Sequence, residues 1–394
     1  MPDIKWNVVL RNPLTALKIL LLGSCRSTVV LLARIIFPFR YRKLTLRDAY
    51  VREWVITAFS ANPNIFCSEP RGHKCQEVVF SSATTNGSND ADVATPDRNG
   101  KIVVGGWIVP NTDVADLKHK DAVIVYAHGG GYALGHGLQN LSMFKRQVKK
   151  AKAVGQDIAF APVKYPLSIE KKWPAQRDAF MAMYTWLLDQ GVPASKIVFS
   201  GTSAGGEFVF WGLPSNINYT FVNGLSPSND TVEGGLILLA MLYIRDHTNL
   251  PQPRCAIAHS PWTDAANRLT DSKHNPLLRT DYIDKYWSTG KIMNDLLRPA
   301  GMPFDSPEIS PVMAEDVSGL PPQLIFYGDA EILWTDSTRW IKRSRDAGIR
   351  MEVYVGKGGM HTFSNGWPIG NKQVEEECDE AVLNYIFTEL APPI

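Results

Sequence analysis

Gly201-Thr202-Ser203-Ala204-Gly205-Gly206, entered by the short apolar run Lys196-Ile-Val-Phe-Ser200, is the stretch that decides how this chain reads. A strand that runs into Gly-x-Ser-x-Gly and leaves as a helix forces the serine onto a strained turn, where only glycine leaves room for the backbone on either side. Ser203 Oγ is thereby lifted clear of the sheet. Upstream, His128-Gly129-Gly130-Gly131-Tyr132 follows a second such run, Asp121-Ala-Val-Ile-Val-Tyr-Ala127. Three glycines after a strand let backbone N–H groups face a carbonyl oxygen, which is what holding a tetrahedral oxyanion requires. Each motif alone is weaker; together they predict a serine hydrolase.

Around these motifs the chain alternates. Short β-type runs at Glu77 to Ala83, Lys101 to Pro110, Ala122 to Ala127, Asp157 to Val163, Ile197 to Ser200, Cys255 to Ala258, Gln323 to Tyr327 and Met351 to Val355 are separated by helical stretches such as Ala175 to Gln190 and Ser337 to Ala347. That pattern predicts an α/β fold with a mostly parallel eight-stranded sheet and helices on both faces. Thr84 to Asn99, rich in Asn, Asp, Ser, Thr and Gly, reads as an exposed loop, and Asn275 to Gly301 as an inserted cap segment. The expected division is an apolar N-terminal cap segment over residues 1–75 and a catalytic domain over 76–394.

With 394 residues the chain fits one large α/β domain with appended segments better than two equal domains. Its 41 basic and 39 acidic residues leave a net charge of +2, so no bulk field draws in nucleic acid. Five cysteines, at 25, 67, 75, 255 and 378, lack metal-ligand spacing. Cys67 and Cys75 are near enough in sequence to pair, but unbridged thiols are expected, and no metal.

The N-terminal segment Leu14 to Phe39 is strongly apolar, yet Lys18, Arg26 and Arg34 divide it into runs too short to span a bilayer uninterrupted. It also lacks the small-residue cleavage site of a signal peptide. Basic residues spaced along an apolar stretch suit a helix lying in the membrane interface; a cap helix packed over the active site suits the pattern equally, with a tilted anchor third.

One stretch breaks the pattern. A helix should begin right after the nucleophile turn, but Glu207 to Glu233 contains Gly212, Pro214, Gly224 and Pro227 and no charge between Glu207 and Asp230. Removing roughly 28 residues, Gly206 to Glu233, joins Gly-Thr-Ser-Ala-Gly directly to Gly-Gly-Leu-Ile-Leu-Leu-Ala, the helix this turn normally opens. The stretch reads as a retained intron, since Gly-Glu-Phe can be encoded by a splice-donor sequence, or else as a genuine flap beside the site.

A serine hydroxyl needs a base to take its proton and an acid to orient the base, and on this arrangement both follow the serine in the chain. His361, in Gly358-Gly-Met-His-Thr-Phe363 after the last β-type run, stands where the base should be; His128, His136, His247, His259 and His274 are weaker candidates. For the acid, Tyr327-Gly328-Asp329-Ala330-Glu331-Ile332-Leu333 offers two carboxylates, and the residues alone do not choose between them.

With these residues laid out, the chain resembles the hormone-sensitive-lipase family of α/β-hydrolases, including its fungal-type acetyl-ester hydrolases, which act on hydrophobic alcohols such as steryl esters. The resemblance runs from about Ala122 to Phe363. It rests on His128-Gly-Gly-Gly-Tyr132, Gly201-x-Ser203-Ala-Gly-Gly206, Tyr165 with Pro174-Ala175, Ser260-Pro-Trp-Thr-Asp264, Ser310-Pro311 and Leu320-Pro-Pro322. It implies the α/β-hydrolase fold with Ser203 as nucleophile and His361 as base. The family's acid pattern, Gly-x-x-Asp-x-Leu, reads here Gly328-x-x-Glu331-x-Leu333, which points to Glu331 with Asp329 as runner-up. Gly129, Gly130 and the N–H of Ala204 would form the oxyanion hole, supported by His128, Gly131, Gly201 and Gly205, with no cofactor. Trp262 and Asp264 would be structural. Thr202 stands where the family usually has Asp.

The implied activity is removal of a short acyl group, acetyl first, from a hydrophobic alcohol. Its rival is a natural-product tailoring hydrolase, thioesterase or cyclase using the same residues. A third reading, a ligand-binding module like the plant hormone receptors of this resemblance group, fits less well because those lack the histidine that His361 supplies. Asn86, Asn140, Asn218 and Asn229 open glycosylation sequons, which occur commonly by chance. The expectation for location is intracellular, at the endoplasmic-reticulum membrane, with residues 14–39 touching lipid.

Overall fold

The apolar runs pair into one sheet in the computed structural model of the chain, which describes residues 12–37, 43–62, 64–80, 95–96, 102–132, 134–168, 170–203, 235–265, 276–283, 299, 301–366 and 368–390. The strands are β1 (Gln76–Phe80), β2 (Thr95–Pro96), β3 (Ile102–Ile108), β4 (Ala122–Ala127), β5 (Ile158–Lys164), β6 (Ile197–Thr202), β7 (Cys255–His259), β8 (Gln323–Gly328) and β9 (Met351–Gly356). Their spatial order is β1-β3-β5-β4-β6-β7-β8-β9, with β2 paired beside β3. From β5 to β9 every pairing is parallel, whereas β1, β2 and β3 join antiparallel. The expected eight-strand path is present. One expectation is corrected: Thr84 to Asn99 is not loop throughout, because Thr95 and Pro96 pair with Val103 and Ile102.

The parallel strands are apolar without alternation because both of their faces are covered. In β4 the odd residues Val123, Val125 and Ala127 enter one core, and the even residues Ala122, Ile124 and Tyr126 enter the other. Helices α4 (Ala175–Asp189) and α5 (Leu236–His247) cover the first face, and α3 (Leu141–Ala153) and α7 (Lys372–Leu390) the second. Helix α6 (Trp334–Asp346) joins the first through Trp340 and Ile341. Strand β4 is flanked by β5 on one side and β6 on the other, so the chain reverses its direction of travel across the sheet there. Such a point opens a crevice at the carboxyl ends of the strands. The register Ala127 opposite Gly201 delivers the His128 and Ser203 turns to that crevice side by side.

The N-terminal segment forms a hairpin of α1 (Pro13–Ile36) and α2 (Leu46–Ala61). Asn12 caps α1 by accepting from Thr15 N, and Pro13 occupies its first position, where a missing N–H costs nothing. Ile19, Gly23, Ser27 and Val30 form the buried side of α1. A Cβ at Gly23 would lie 2.8 Å from the Trp54 ring, so glycine sets how closely the two helices approach. Arg26 is turned to this side and pairs with Glu53 of α2 at 2.9 Å. The outer surface exposes Leu14, Leu17, Leu21, Leu32, Ile35 and Ile36, with Lys18 exposed among them. By length and composition α1 is also sufficient to cross a bilayer. None of the five cysteines forms a disulfide. Asn140 directs its amide to Tyr126 Oη, which engages that sequon inside the fold. Asn86, Asn218, Asn229, His274 and the stretch Gly206 to Glu233 lie outside the described residues.

Candidate active site

Ser203 follows β6 in the left-handed region at φ 57°, the conformation a nucleophile turn imposes on a residue that has a Cβ. Its backbone N–H donates to His259 O at 2.7 Å, tying the turn to the next strand. Gly201 must be small: a Cβ there would lie 3.1 Å from Ile237 and 3.4 Å from Ala127. His361, after β9, places Nε2 2.7 Å from Ser203 Oγ, within reach for proton transfer. Both side chains are buried. Burial pushes the His361 imidazole down to about 3, so the resting ring is neutral and able to accept a proton.

On the far side of the ring, Nδ1 lies 3.8 Å from Glu331 Oε2. His361 Nδ1 and Glu331 Oε1 are both buried without a hydrogen-bond partner, a costly arrangement that a small rotation of either group would relieve. Catalytic hydrogen bonds are often long before substrate binds. Burial drives the Glu331 carboxyl well above its usual range, opposed by a hydrogen bond from Ser260. Ser260 Oγ donates to Glu331 Oε2 at 2.6 Å and accepts from Thr362 N at 2.9 Å, so one hydroxyl ties the acid to the base loop. Asp329, the runner-up, is engaged elsewhere: its carboxylate accepts from Gly358 N at 2.7 Å and its carbonyl from Lys43 Nζ at 2.7 Å. The geometry thus brings Ser203, His361 and Glu331 together and leaves Asp329 bracing the loop.

The glycine turn after β4 is built for close backbone approach. Gly130, Gly131 and Tyr132 all have positive φ, and a Cβ at Gly130 would sit 1.9 Å from Leu134 O. Gly129 O accepts from Gln139 Nε2 at 3.0 Å and contacts His128 Nδ1 at 2.8 Å. His128 is buried and stacked on Tyr165, which donates to His128 O at 2.6 Å; burial lowers its pKa to about 3. His128 is therefore a neutral brace for the turn. Ala204, Gly205 and Gly206 lie outside the described residues. The cavity at Ser203 is lined by His128, Tyr132, Gly201, Leu236, Ile237 and Ala258 among others.

Thr202, at the position where resemblance suggested Asp, sits in a hydroxyl chain: Thr202 Oγ1 is 2.6 Å from Tyr126 Oη and donates to Asn365 Oδ1 at 3.2 Å. The chain links the residue before the nucleophile to the loop after the base. Trp262 Nε1 donates to Asp264 O, and Asp264 pairs with Arg339, the structural roles expected of them. Of the other histidines, His259 is stacked on Phe326 and bonded to Ser364, His136 lies against Trp107, and His247 against Tyr243. Sequence reasoning missed Asp281. Its carboxylate accepts from His361 N at 3.1 Å and from Ile332 N at 2.7 Å, and nothing in its sequence surroundings distinguishes it from the rest of the supposed cap segment. Among the described residues no cluster of three or more His, Cys, Asp or Glu side chains has the disposition to hold a metal.

A strained serine within bonding distance of a buried neutral imidazole, on a doubly covered parallel sheet beside a glycine turn, defines the serine-hydrolase class. A family model described as the alpha/beta hydrolase fold matches residues 124–211 and 232–365, and the chain belongs to that family. The unmatched interval falls inside the stretch that breaks the nucleophile helix. An esterase of Acinetobacter venetianus is 24% identical over 251 residues, covering 62% of this chain and 69% of that protein. An acetyl-hydrolase of Streptomyces hygroscopicus is 26% identical over 248 residues, covering 59% and 69%. Among solved structures, a hormone-sensitive-lipase homologue from a metagenome library has a TM-score of 0.57 at 24% identity, covering 82% of this chain and 89% of its own. A second metagenomic hormone-sensitive lipase has a TM-score of 0.58 at 20% identity, covering 93% and 98%. The fold and its hormone-sensitive-lipase likeness are those the sequence implied.

Proposed function

We propose that this chain is a carboxylic-ester hydrolase that removes a short acyl group, acetyl first, from a hydrophobic alcohol. The observation that carries the reading is the 2.7 Å contact between Ser203 Oγ and His361 Nε2 on a turn that fixes the serine at positive φ. Ser203 Oγ attacks the acyl carbon as His361 Nε2 takes its proton, and the imidazolium then returns that proton to the departing alcohol. Glu331 orients the ring and stabilises its charged form. Backbone N–H groups of Gly129, Gly130 and Ala204 receive the oxyanion, where losing one donor costs about 3 kcal/mol of barrier. Ester hydrolysis is supported by the relative named esterase, and the short acyl group by the relative named acetyl-hydrolase.

The test is turnover of p-nitrophenyl esters from acetate to long acyl chains, beside Ser203→Ala. Turnover highest for acetate and abolished by the alanine is the expected result. An inactive protein whose Ser203 also resists a fluorophosphonate would sink the reading, and inactivity with labelling would redirect it to biosynthetic acyl chemistry.

The reading includes a lipid surface beneath the hairpin. The outer side of α1 exposes leucine and isoleucine toward both of its ends with Lys18 among them, its 24 residues include no Asp or Glu, and Arg26 pairs with Glu53 of α2. A helix packed lengthwise on α2 and apolar on its outer side suits lying in the interface, delivering lipophilic esters to the site.

A further inference from the structure

Arg26, Glu53, Arg52 and Asp281 form a polar path from the N-terminal hairpin to the catalytic loops. Arg26 Nε donates to Glu53 Oε2 at 2.9 Å, Glu53 pairs with Arg52, and Arg52 Nε donates to the carbonyl of Asp281 at 2.6 Å. Glu53, Arg52 and Asp281 are buried, so such a path is retained only where its partners satisfy it.

Residues 280–282 grip both catalytic loops. Thr280 Oγ1 donates to Ala330 O at 2.9 Å, and Asp281 Oδ2 accepts from Ile332 N at 2.7 Å, so the residues on either side of Glu331 are held. Asp281 Oδ1 accepts from His361 N at 3.1 Å, and Tyr282 Oη lies 2.9 Å from Thr362 Oγ1, so the base loop is held as well. The carboxylate also accepts from Tyr282 N at 2.8 Å.

This grip matters because the contact between acid and base is still open in the resting structure: 3.8 Å separates Glu331 Oε2 from His361 Nδ1. The relative placement of the two loops is set by backbone bonds, and a shift of about 1 Å in such an arrangement costs on the order of a hundredfold in rate. We propose that Asp281 is a positioning residue that holds the Glu331 and His361 loops in catalytic register, and that the N-terminal hairpin holds Asp281 through Arg52. The proposal rests on the reading of Ser203 and His361 as the catalytic pair, and it makes the hairpin part of the catalytic apparatus even though none of its residues touches the reacting atoms.

Asp281→Asn keeps size and shape but places an NH2 against one of the two loop N–H groups, so only one loop stays held. Counting functional sites by burst titration with p-nitrophenyl acetate removes any misfolded fraction from the comparison. Per titrated site, kcat is expected to fall by about tenfold or more while KM stays within about twofold, the split that loss of transition-state geometry produces. Thr280→Val, which removes the hydroxyl contacts with Ala330 O and Leu277 O and leaves the Asp281 carboxylate in place, is expected to fall less in the same sense. Arg52→Lys retains a cation beside Glu53 but loses the Nε donor, and is expected to share the kcat loss of Asp281→Asn without adding to it in the double variant. A kcat per site within twofold of wild type in Asp281→Asn overturns the positioning role. Additive losses, or a normal Arg52→Lys beside an impaired Asp281→Asn, overturn the part assigned to the hairpin. A wild-type protein whose Ser203 resists fluorophosphonate would instead remove the catalytic reading on which this one stands.

Discussion

Ser203 ends the turn after β6 and Leu236 begins α5, and although a long stretch of chain separates them, both line the same cavity. The N-terminus of α5 therefore sits where a helix starting directly after the nucleophile would sit, with Gly235 as its cap. Gly201 and Ile237 pack at a separation that a Cβ on Gly201 would close to 3.1 Å, a contact of one continuous turn-and-helix unit.

A protein lacking Gly206 to Glu233 is accordingly expected to fold and to hydrolyse p-nitrophenyl acetate faster than the full chain. The mature transcript is expected to lack those codons. A transcript containing them, together with activity confined to the full chain, would make the stretch an integral part of the site.

Glu331 and Asp329 are separated by a pair of substitutions. Glu331→Gln leaves the shape but removes the charge that steadies the imidazolium, and kcat is expected to fall by roughly 10³ to 10⁴. Asp329→Asn disturbs only the bond from Gly358 N, costing about 1 kcal/mol of stability with kcat changed by a factor of a few. Steady-state rates at pH 8 read both, and the reverse order would make Asp329 the acid.

His259 gives the fold an acid sensitivity of its own. Burial lowers its pKa to about 3, below the 6.5 of the exposed ring. A depressed folded-state value means that the stability it contributes is complete above pH 6.5 and is lost as pH falls from 6.5 toward 3. His259→Gln does not titrate, so the loss of unfolding free energy between pH 7 and pH 4.5 is expected to shrink by about 2 to 3 kcal/mol. Urea unfolding at the two pH values measures the difference, and the lost stacking on Phe326 cancels because it affects both.

Leu17, Leu21 and Leu32 test the outer side of α1. Changing all three to Asp removes about 1.5 to 3 kcal/mol of transfer energy per leucine, so sedimentation with phosphatidylcholine–phosphatidylserine vesicles is expected to fall by more than a hundredfold. Hydrolysis of soluble p-nitrophenyl acetate should persist, since these side chains face away from the body. Vesicle binding unchanged by the triple substitution would remove the lipid surface from the reading.

The local chemistry of the sequence determined the parts of this protein that need only neighbours along the chain. A serine between glycines after an apolar run must be a strained turn, three glycines after another must approach a ligand closely, and doubly covered strands must be apolar without alternation. Hence Ser203, the Gly129–Gly131 turn and the strands were legible, and His361 followed from its place after the last strand. The residues alone left Glu331 and Asp329 open and the resemblance favoured Glu331; the tertiary structure adds which of the two carboxylates the β8 turn aims at the ring. The same holds for Asp281, whose role comes from bonds to His361, Ile332 and Arg52, contacts set by how the elements pack. It holds again for α1, where a linear reading sees cations interrupting an apolar run and the helix packing instead pairs Arg26 with Glu53 of the neighbouring helix. Function at a single turn is written locally; the orientation of one buried group toward another depends on every element that packs between them.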